Sequence, residues 1–296
     1  AKFLSRDIAT EFGGRGDEVH MYPLSFSEFM SVYDGNRYDG WNEYIIYGGI
    51  PLVVLAETEE QKMAILDNLF RETYISDIVK RNKIRNVGEL EALLDILSSA
   101  IGALTNPNKL QKTFKSVNRS KITATTITKY IEYLEDAFLI EEAVRYDIKG
   151  KSYIGTPLKY YFMDLGLRNA RINYRQIEIT HSMENVIYNE LRMRGFSVDV
   201  GNLTIVENGK DGKAVKKQLE VDFICNKGSK KYYIQSAYQL GTEEKLAQEI
   251  RPFLKIKDCF KKIVITSDTP KPCYTEEGIL MMNVYDFLLN PELIDL

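Results

Sequence analysis

The sequence predicts a multidomain chain of the α/β and α+β classes. Three observations carry this. The first half holds apolar residues at helical spacing, as in Met63, Leu66, Leu69, Phe70, Tyr74 and Ile78. The second half orders its patterns as helix, three strands, helix, strand. The 296 residues are enough for about two domains at the usual size of roughly 100–200 residues.

The expected elements follow in order. Residues 2–12 read as a short amphipathic helix closed by Gly13-Gly14. Val19 to Leu24 reads as a short strand. Ser25 and Glu28 have capping-box spacing and open a helix to about Val32. Tyr47-Gly48-Gly49-Ile50-Pro51 punctuates the stretch from Trp41 to Leu55 as a turn. One long helix is expected over 59–84. Three helical stretches follow, Val87–Ala103, Asn108–Val117 and Ala124–Ala137, the last with Ile127, Tyr130, Ile131, Leu134 and Phe138 on one face. A strand from Phe138 to Tyr146, a Lys-Gly-Lys turn and a strand from Lys159 to Met163 complete a set of three helices and a hairpin. That is the composition of a winged helix-turn-helix. After a polar connection at 168–180, a helix is expected at 182–194. Strands follow near 196–206, 218–226 and 230–240, then a helix at 242–256, a strand at 262–266 and a last short helix at 284–289. The domain boundaries implied are 1–86, 87–170 and 171–296.

Composition excludes several classes. Apolar residues make up 44 % and charged residues 27 %, which is ordinary for a globular protein. The net charge of −3 excludes a uniformly basic polyanion binder, so any nucleic-acid contact must come from a local patch. Three widely spaced cysteines suit a reducing cytoplasm and form no zinc pattern. Two histidines are too few for a His-rich metal site. No apolar run approaches the roughly 18 residues of a membrane span. The chain begins at Ala1 inside a helical pattern and reads as a fragment of something longer.

Residues 219–237 carry the most pointed chemistry. Asp222 ends one apolar stretch, a short polar turn follows, and Gln235 lies on a second apolar stretch. This is similar to the hairpin on which PD-(D/E)xK nucleases mount their metal ligands. Asp222 holds the first carboxylate position, and Glu184 lies on the preceding helix. The second position, Asp/Glu-x-Lys in that pattern, reads Gln235-Ser236-Ala237 here. A neutral amide lacks the charge of a hard-cation ligand, and Ala237 has no ammonium for a transition state. The expectation is a restriction-endonuclease-like α/β domain with its chemistry removed. No catalytic residue is expected in this chain, and Glu184 with Asp222 is at most a weak metal pair.

A second stretch is basic. Between Asn106 and Ile131 lie Lys109, Lys112, Lys115, Arg119, Lys121 and Lys129, with no Asp or Glu. Thr123, Thr125, Thr126 and Thr128 crowd the start of the third helix. Hydroxyls and cations at the front of a recognition helix suit phosphate oxygens. The same helices serve equally for protein contacts with the lysines solvated, so both partners stay open. Arg15, after a Gly-Gly turn and before a strand, reads by default as a surface arginine, with the alternative that it reaches the phosphate of a nucleotide held by a neighbour. No Gly-x-x-x-x-Gly-Lys-Ser/Thr loop occurs.

Several stretches, in this order, carry a wider resemblance. They are Gly14-Arg15, Pro23-Leu24-Ser25-Phe26-Ser27-Glu28-Phe29, Tyr47-Gly48-Gly49-Ile50-Pro51 and Thr73-Tyr74-Ile75-Ser76-Asp77-Ile78. Tyr160-Tyr161-Phe162-Met163-Asp164-Leu165-Gly166-Leu167-Arg168, Glu184-Asn185-Val186-Ile187-Tyr188-Asn189-Glu190-Leu191 and Glu220-Val221-Asp222-Phe223 continue it. Together the chain resembles the C-terminal part of bacterial and archaeal AAA+-type ATPases with a DUF4143 domain. The resemblance implies that residues 1–86 are a partial AAA+ remnant and helical linker. It places the ATP- and magnesium-binding core before Ala1, with no cofactor in this chain. It makes Arg15 a nucleotide-sensing residue, and it allows an oligomer of the intact protein. That family's last domain often keeps Glu, Asp, Glu and Lys, from which Gln235 and Ala237 depart. The function expected is a regulatory and binding portion whose winged helix engages nucleic acid or a protein. The alternatives are a divergent metal-dependent nuclease using Glu184 and Asp222, or a pure protein-interaction module.

Overall fold

The structure, a computed structural model, describes residues 19–118, 120–175, 177–208 and 213–296. Arg15, Arg119 and the helix expected at 2–12 lie outside the described residues. The architecture is mixed α/β: many helices and one large mixed sheet. The chain divides into two units. One holds residues 1–142 and 159–178, the other 143–158 and 179–296.

The first unit is helical. Its described elements are α1 (Phe26–Val32), α2 (Arg37–Tyr47), α3 (Pro51–Val54), α4 (Glu59–Asn68), α5 (Ser76–Asn82), α6 (Val87–Ser99), α7 (Pro107–Thr113) and α8 (Ala124–Asp136). The capping box at α1 forms as its spacing predicts, with Ser25 and Glu28 bonding each other's backbone. No strand forms at Val19–Leu24. The backbone of Leu24 bonds elsewhere, its N–H donating to the Gly49 carbonyl and its carbonyl accepting from the Tyr44 hydroxyl, each at 2.8 Å.

The long helix expected over 59–84 is not uniform. Leu69–Ile75 forms a wider π-helical stretch between α4 and α5. Leu66, Phe70, Ile75 and Ile78 are buried along it. The step of five between Phe70 and Ile75 does not fit an α-helical face, and a wider turn accommodates it.

The polar connection expected at 168–180 is shorter, because its first residues belong to helix α9 (Leu165–Arg171), capped by the Asp164 side chain. Gly166 and the polar residues masked it in the sequence. Those polar residues are buried, with Arg168 only 1 % and Asn169 0 % exposed. The Asp164 carboxylate accepts backbone N–H groups from Gly49 at 2.8 Å and Leu167 at 3.1 Å, and also from Ile50 and Gly166. Two glycines allow this approach. At Gly48, where φ is +77°, an added Cβ would lie 2.2 Å from the Asp164 carboxylate oxygen, and at Gly166 it would lie 2.0 Å from the Tyr47 carbonyl. Arg168 Nε donates to the Ser98 carbonyl at 2.7 Å. Asn169 Nδ2 donates to the carbonyls of Ile45 at 2.8 Å and Ile46 at 2.9 Å. Arg171 pairs with Asp95 at 2.7 Å. One short helix thereby ties α2, α3 and α6 together through buried polar bonds.

The second unit is built on a sheet. The strands are β1 (Ile140–Asp147), β2 (Ser152–Phe162), β3 (Ser197–Asn208), β4 (Ala214–Lys227), β5 (Lys230–Ser236), β6 (Lys261–Thr266), β7 (Cys273–Tyr274) and β8 (Leu280–Asn283). The order is β2-β1-β3-β4-β5-β6-β8-β7. The unit boundary cuts β1 and β2, leaving 143–158 with the sheet. There β1 runs parallel to β3, with Arg145 opposite Val200. The hairpin is therefore not a free wing, because β3 takes its edge. Helix α10 (Ile179–Met193) lies on one face, with the Tyr188 ring 6.2 Å from Phe223. Helix α11 (Glu243–Leu254) covers the other face, its Ile250 and Phe253 joining the core cluster that holds Tyr233 and Val264 of the strands. The chain continues to helix α12 (Val284–Leu289), close to its expected bounds. The strands β7 and β8 were not expected. They are two and four residues long, too short for periodicity to show.

Burial outweighs the four amides at Asp164 and raises its carboxyl from 3.8 to about 6. A raised acid stabilises the fold most when protonated. Its contribution is full below pH 3.8 and is lost as the pH rises through about 6. Asp164→Asn lacks this dependence. The stability of the wild type relative to Asp164→Asn, read from denaturant melts, should be greatest near about pH 4 and fall by about 3 kcal/mol toward pH 8. A difference that stays flat over that range contradicts the shift.

Candidate functional site

The hairpin β4–β5 brings Asp222 and Gln235 together. A bulge aims the first of them. Asp199 pairs with Ile224 and Gly201 with Val221, so Asp222 and Phe223 together face Val200. The β4–β5 backbone ladder runs from Lys227↔Lys230 to Phe223↔Ile234 and stops there. Side chains take over the next rungs. The Asp222 carboxylate accepts the Ser236 N–H at 2.8 Å. The Gln235 amide oxygen accepts the Asp222 N–H at 3.4 Å, and its Nε2 donates to Glu249 of α11 at 3.1 Å. β5 meanwhile continues beside β6, and the Ala237 N–H donates to the Ile265 carbonyl at 2.9 Å.

These bonds give a physical reason for the departures at 235 and 237. A neutral amide donates to Glu249 and accepts from Asp222, which a carboxylate at that position cannot do. Ala237 is 4 % exposed and packs among Tyr233, Leu240, Phe253 and Val264. A lysine there would drive an ammonium into an apolar core. Glu184 is buried on α10, with the His181 Nδ1 at 3.8 Å. Among the described residues, no group of three or more His, Cys, Asp and Glu side chains is arranged to hold a metal ion. Glu184 and Asp222 thus have no third such ligand there.

The basic stretch lies on α7, a π-helical turn (Phe114–Asn118) and α8. Lys109, Lys112, Lys115, Lys121 and Lys129 are exposed. None of the five makes an ion pair among the described residues. Leu110, Phe114, Ile127, Tyr130, Ile131 and Leu134 bury the opposite sides. The Thr123 hydroxyl caps α8 by accepting the Thr126 N–H. Thr123, Thr125 and Thr128 are exposed, while Thr126 is half-buried.

The sequence missed Glu249 as the partner of Gln235. It lies 14 residues later on a helix whose position over the strand no local pattern reports. Gln235→Glu should set two carboxylates against each other. It should lower stability by roughly 1–3 kcal/mol at neutral pH. The introduced carboxyl has a raised pKa, so the deficit should shrink on acidification as protonation restores a donor. Thermal melts from about pH 4 to 8 test this, and a deficit that grows in acid would contradict the Gln235–Glu249 bond.

Comparisons with known proteins correct one expectation. The model of a domain of unknown function, DUF8612, matches residues 38–178. An uncharacterized protein of Haemophilus influenzae is 36 % identical over 98 % of this chain and 69 % of its own length. An uncharacterized protein of Methanocaldococcus jannaschii is 32 % identical over 87 % of this chain and 58 % of its length. The chain thus spans about two thirds of the first relative and less than that of the second. A crystal structure of a Vibrio cholerae protein aligns over 95 % of this chain and 63 % of that one, at 13 % identity and a TM-score of 0.24, which carries no argument. The matched family model is not DUF4143, and neither relative carries an ATPase description, so the resemblance to AAA+-type ATPases is overturned. The structure gives the reason. Gly48-Gly49-Ile50 and Asp164-Leu165-Gly166-Leu167 interlock around one carboxylate, and such stretches report a packing solution rather than ATP chemistry. The expectation of ATP and magnesium rested on that resemblance and falls with it. The chain belongs to the family of the uncharacterized Haemophilus influenzae protein, and the DUF8612 model matches its residues 38–178.

Proposed function

We propose that the chain is a nucleic-acid-binding protein whose contact surface is α7, the π-helical turn and α8. The observation that carries this reading is the run of exposed Lys109, Lys112, Lys115, Lys121 and Lys129, with no Asp or Glu between Asn106 and Ile131 and no ion pair to these lysines among the described residues, in a chain of net charge −3.

The charge order of α8 supports it. A helix favours acids at its N-terminus and bases at its C-terminus, by roughly 0.3–1 kcal/mol per charge. α8 has no acid in its first turn and no base in its last. Lys121 precedes its cap, and Glu135 and Asp136 lie in its final turn. The arrangement runs against the helix's own stability. Local rules are broken in this way where a surface serves a ligand. Phosphate oxygens at the front of α8 would meet Lys121, the hydroxyls of Thr123 and Thr125, and free helix N–H groups.

The helices α6, α7 and α8 followed by β1 and β2 fit a winged helix-turn-helix, and the β4–β5 hairpin fits a nuclease-type layout. In the second case Gln235 and Ala237 serve packing and hydrogen bonding, so this unit is a scaffold rather than a catalyst. Metal-dependent plasmid cleavage that is lost in Asp222→Asn would reverse this. No described helix is long and apolar enough to cross a membrane. Cys225, Cys259 and Cys273 are all free thiols, which supports a reducing compartment such as the cytoplasm.

The test is salt-titrated binding of labelled duplex DNA and of single-stranded DNA. Lys109→Ala, Lys112→Ala and Lys115→Ala combined should weaken binding by about tenfold or more at low salt. The slope of log K against log salt should fall by about one per lysine that meets a phosphate. Salt-independent binding, or an unchanged slope in the triple variant, would remove the basis for this function.

A further inference from the structure

The longest strand pair of the sheet extends beyond its neighbours. β3 and β4 pair through Thr204↔Gln218, Ile205↔Lys217, Val206↔Lys216, Glu207↔Val215 and Asn208↔Ala214. β1 stays beside β3 only to Asn202, and β5 joins β4 only from Phe223 onward. Among the described residues, these five rungs therefore form a two-stranded ribbon without a third strand. Five residues span roughly 15 Å.

The two faces of the ribbon differ. One turns toward α11. Ile205 is buried there in the core, and Glu207 pairs with Arg251 of that helix. The other carries Val206, Asn208, Ala214, Lys216 and Gln218, all exposed, with Val206 at 63 %. Lys213 is exposed beside it. Neither Lys213 nor Lys216 makes an ion pair among the described residues.

We propose that this outer face is a docking arm for the major groove of duplex DNA. The groove is about 12 Å wide and admits a two-stranded ribbon. Asn and Gln are suited to adenine edges, Lys to guanine, and the Val methyls to a thymine methyl. The unpaired lysines complement the phosphates of the groove walls. The face has no aromatic ring, so it lacks the stacking platform of a single-strand binder. The major groove of duplex RNA is too deep and narrow for such an arm. The arm lies wholly in the sheet unit and stands or falls independently of α7–α8.

The full chain is assayed by fluorescence anisotropy against a random duplex DNA of about 30 base pairs, the matching duplex RNA, and oligo-dT, at roughly 50 mM salt where phosphate-driven binding is strong. Lys216→Glu is compared with Lys271→Glu, an exposed lysine elsewhere in the unit that makes the same change in net charge. Lys216→Glu should weaken duplex DNA binding about tenfold and reduce the salt slope by about one, with Lys271→Glu much closer to wild type. A photo-crosslinking benzoylphenylalanine in place of Val206 should attach to duplex DNA, and circular dichroism melts confirm that each variant is folded. Equal effects of the two charge reversals, no crosslink from position 206, or preference for oligo-dT or duplex RNA would each overturn the arm. The triple variant at Lys109, Lys112 and Lys115, on α7 and the π-helical turn, separates the two surfaces. Loss of binding there, with Lys216→Glu silent, removes the arm alone. The reverse pattern keeps the arm and removes the helical site. No salt-sensitive binding to any probe removes both.

Discussion

The buried carboxylate of Asp164 is the interaction on which the helical unit depends. It gathers the amides of Gly49, Ile50, Gly166 and Leu167. Each amide belongs to a turn or a helix start and would otherwise lie buried without a partner. Geometry then propagates outward. Because Asp164 starts α9 at that point, Arg168 reaches the end of α6, Asn169 reaches the last carbonyls of α2, and Arg171 reaches Asp95. Burial lowers the Arg168 guanidinium to about 10, so it stays protonated at neutral pH. These polar bonds locate α2, the Gly49–Ile50 turn before α3, and α6 relative to α9.

The sheet unit solves a related problem differently. Where β4 and β5 part at Phe223, backbone groups lose their ladder partners. Asp222 and Gln235 replace those rungs with side chains, and Glu249 holds Gln235 from the helix above. A carboxylate at a strand fork has two uses, ligating a cation or satisfying an amide. In this chain the Asp222 oxygen takes the Ser236 N–H, and the neighbouring positions are chosen for hydrogen bonding and apolar fit.

Elements with strong periodicity were legible in the sequence. The apolar face of α8, the capping box of α1 and the strands around Asp222 rest on local signals of spacing and end chemistry. Three features were not. The π-helical stretch depends on which apolar residues find the core. α9 was hidden because Arg168 and Asn169 look like surface residues until their distant carbonyl partners are known. The pairing of β1 with β3 joins residues about 55 positions apart in the chain, and no window reports it. At the candidate site, Asp222 and Gln235 were readable as neighbours because a hairpin is local. What Gln235 does was not readable, since Glu249 arrives from a separate helix. The resemblance to ATPases failed for a similar reason: glycines and an aspartate that interlock in three dimensions leave a sequence trace resembling a family signature.

The π-helical stretch between α4 and α5 has a mechanical consequence. A wider turn holds one residue more than an α-turn, and that residue turns the following helix by about 100° relative to the preceding one. α4 and α5 thus form one rod with two phases. The first phase packs on α2 and α9, while the second reaches α8. The phase change at Phe70 and Ile75 therefore decides which side of the rod faces α8, the helix that carries Lys129.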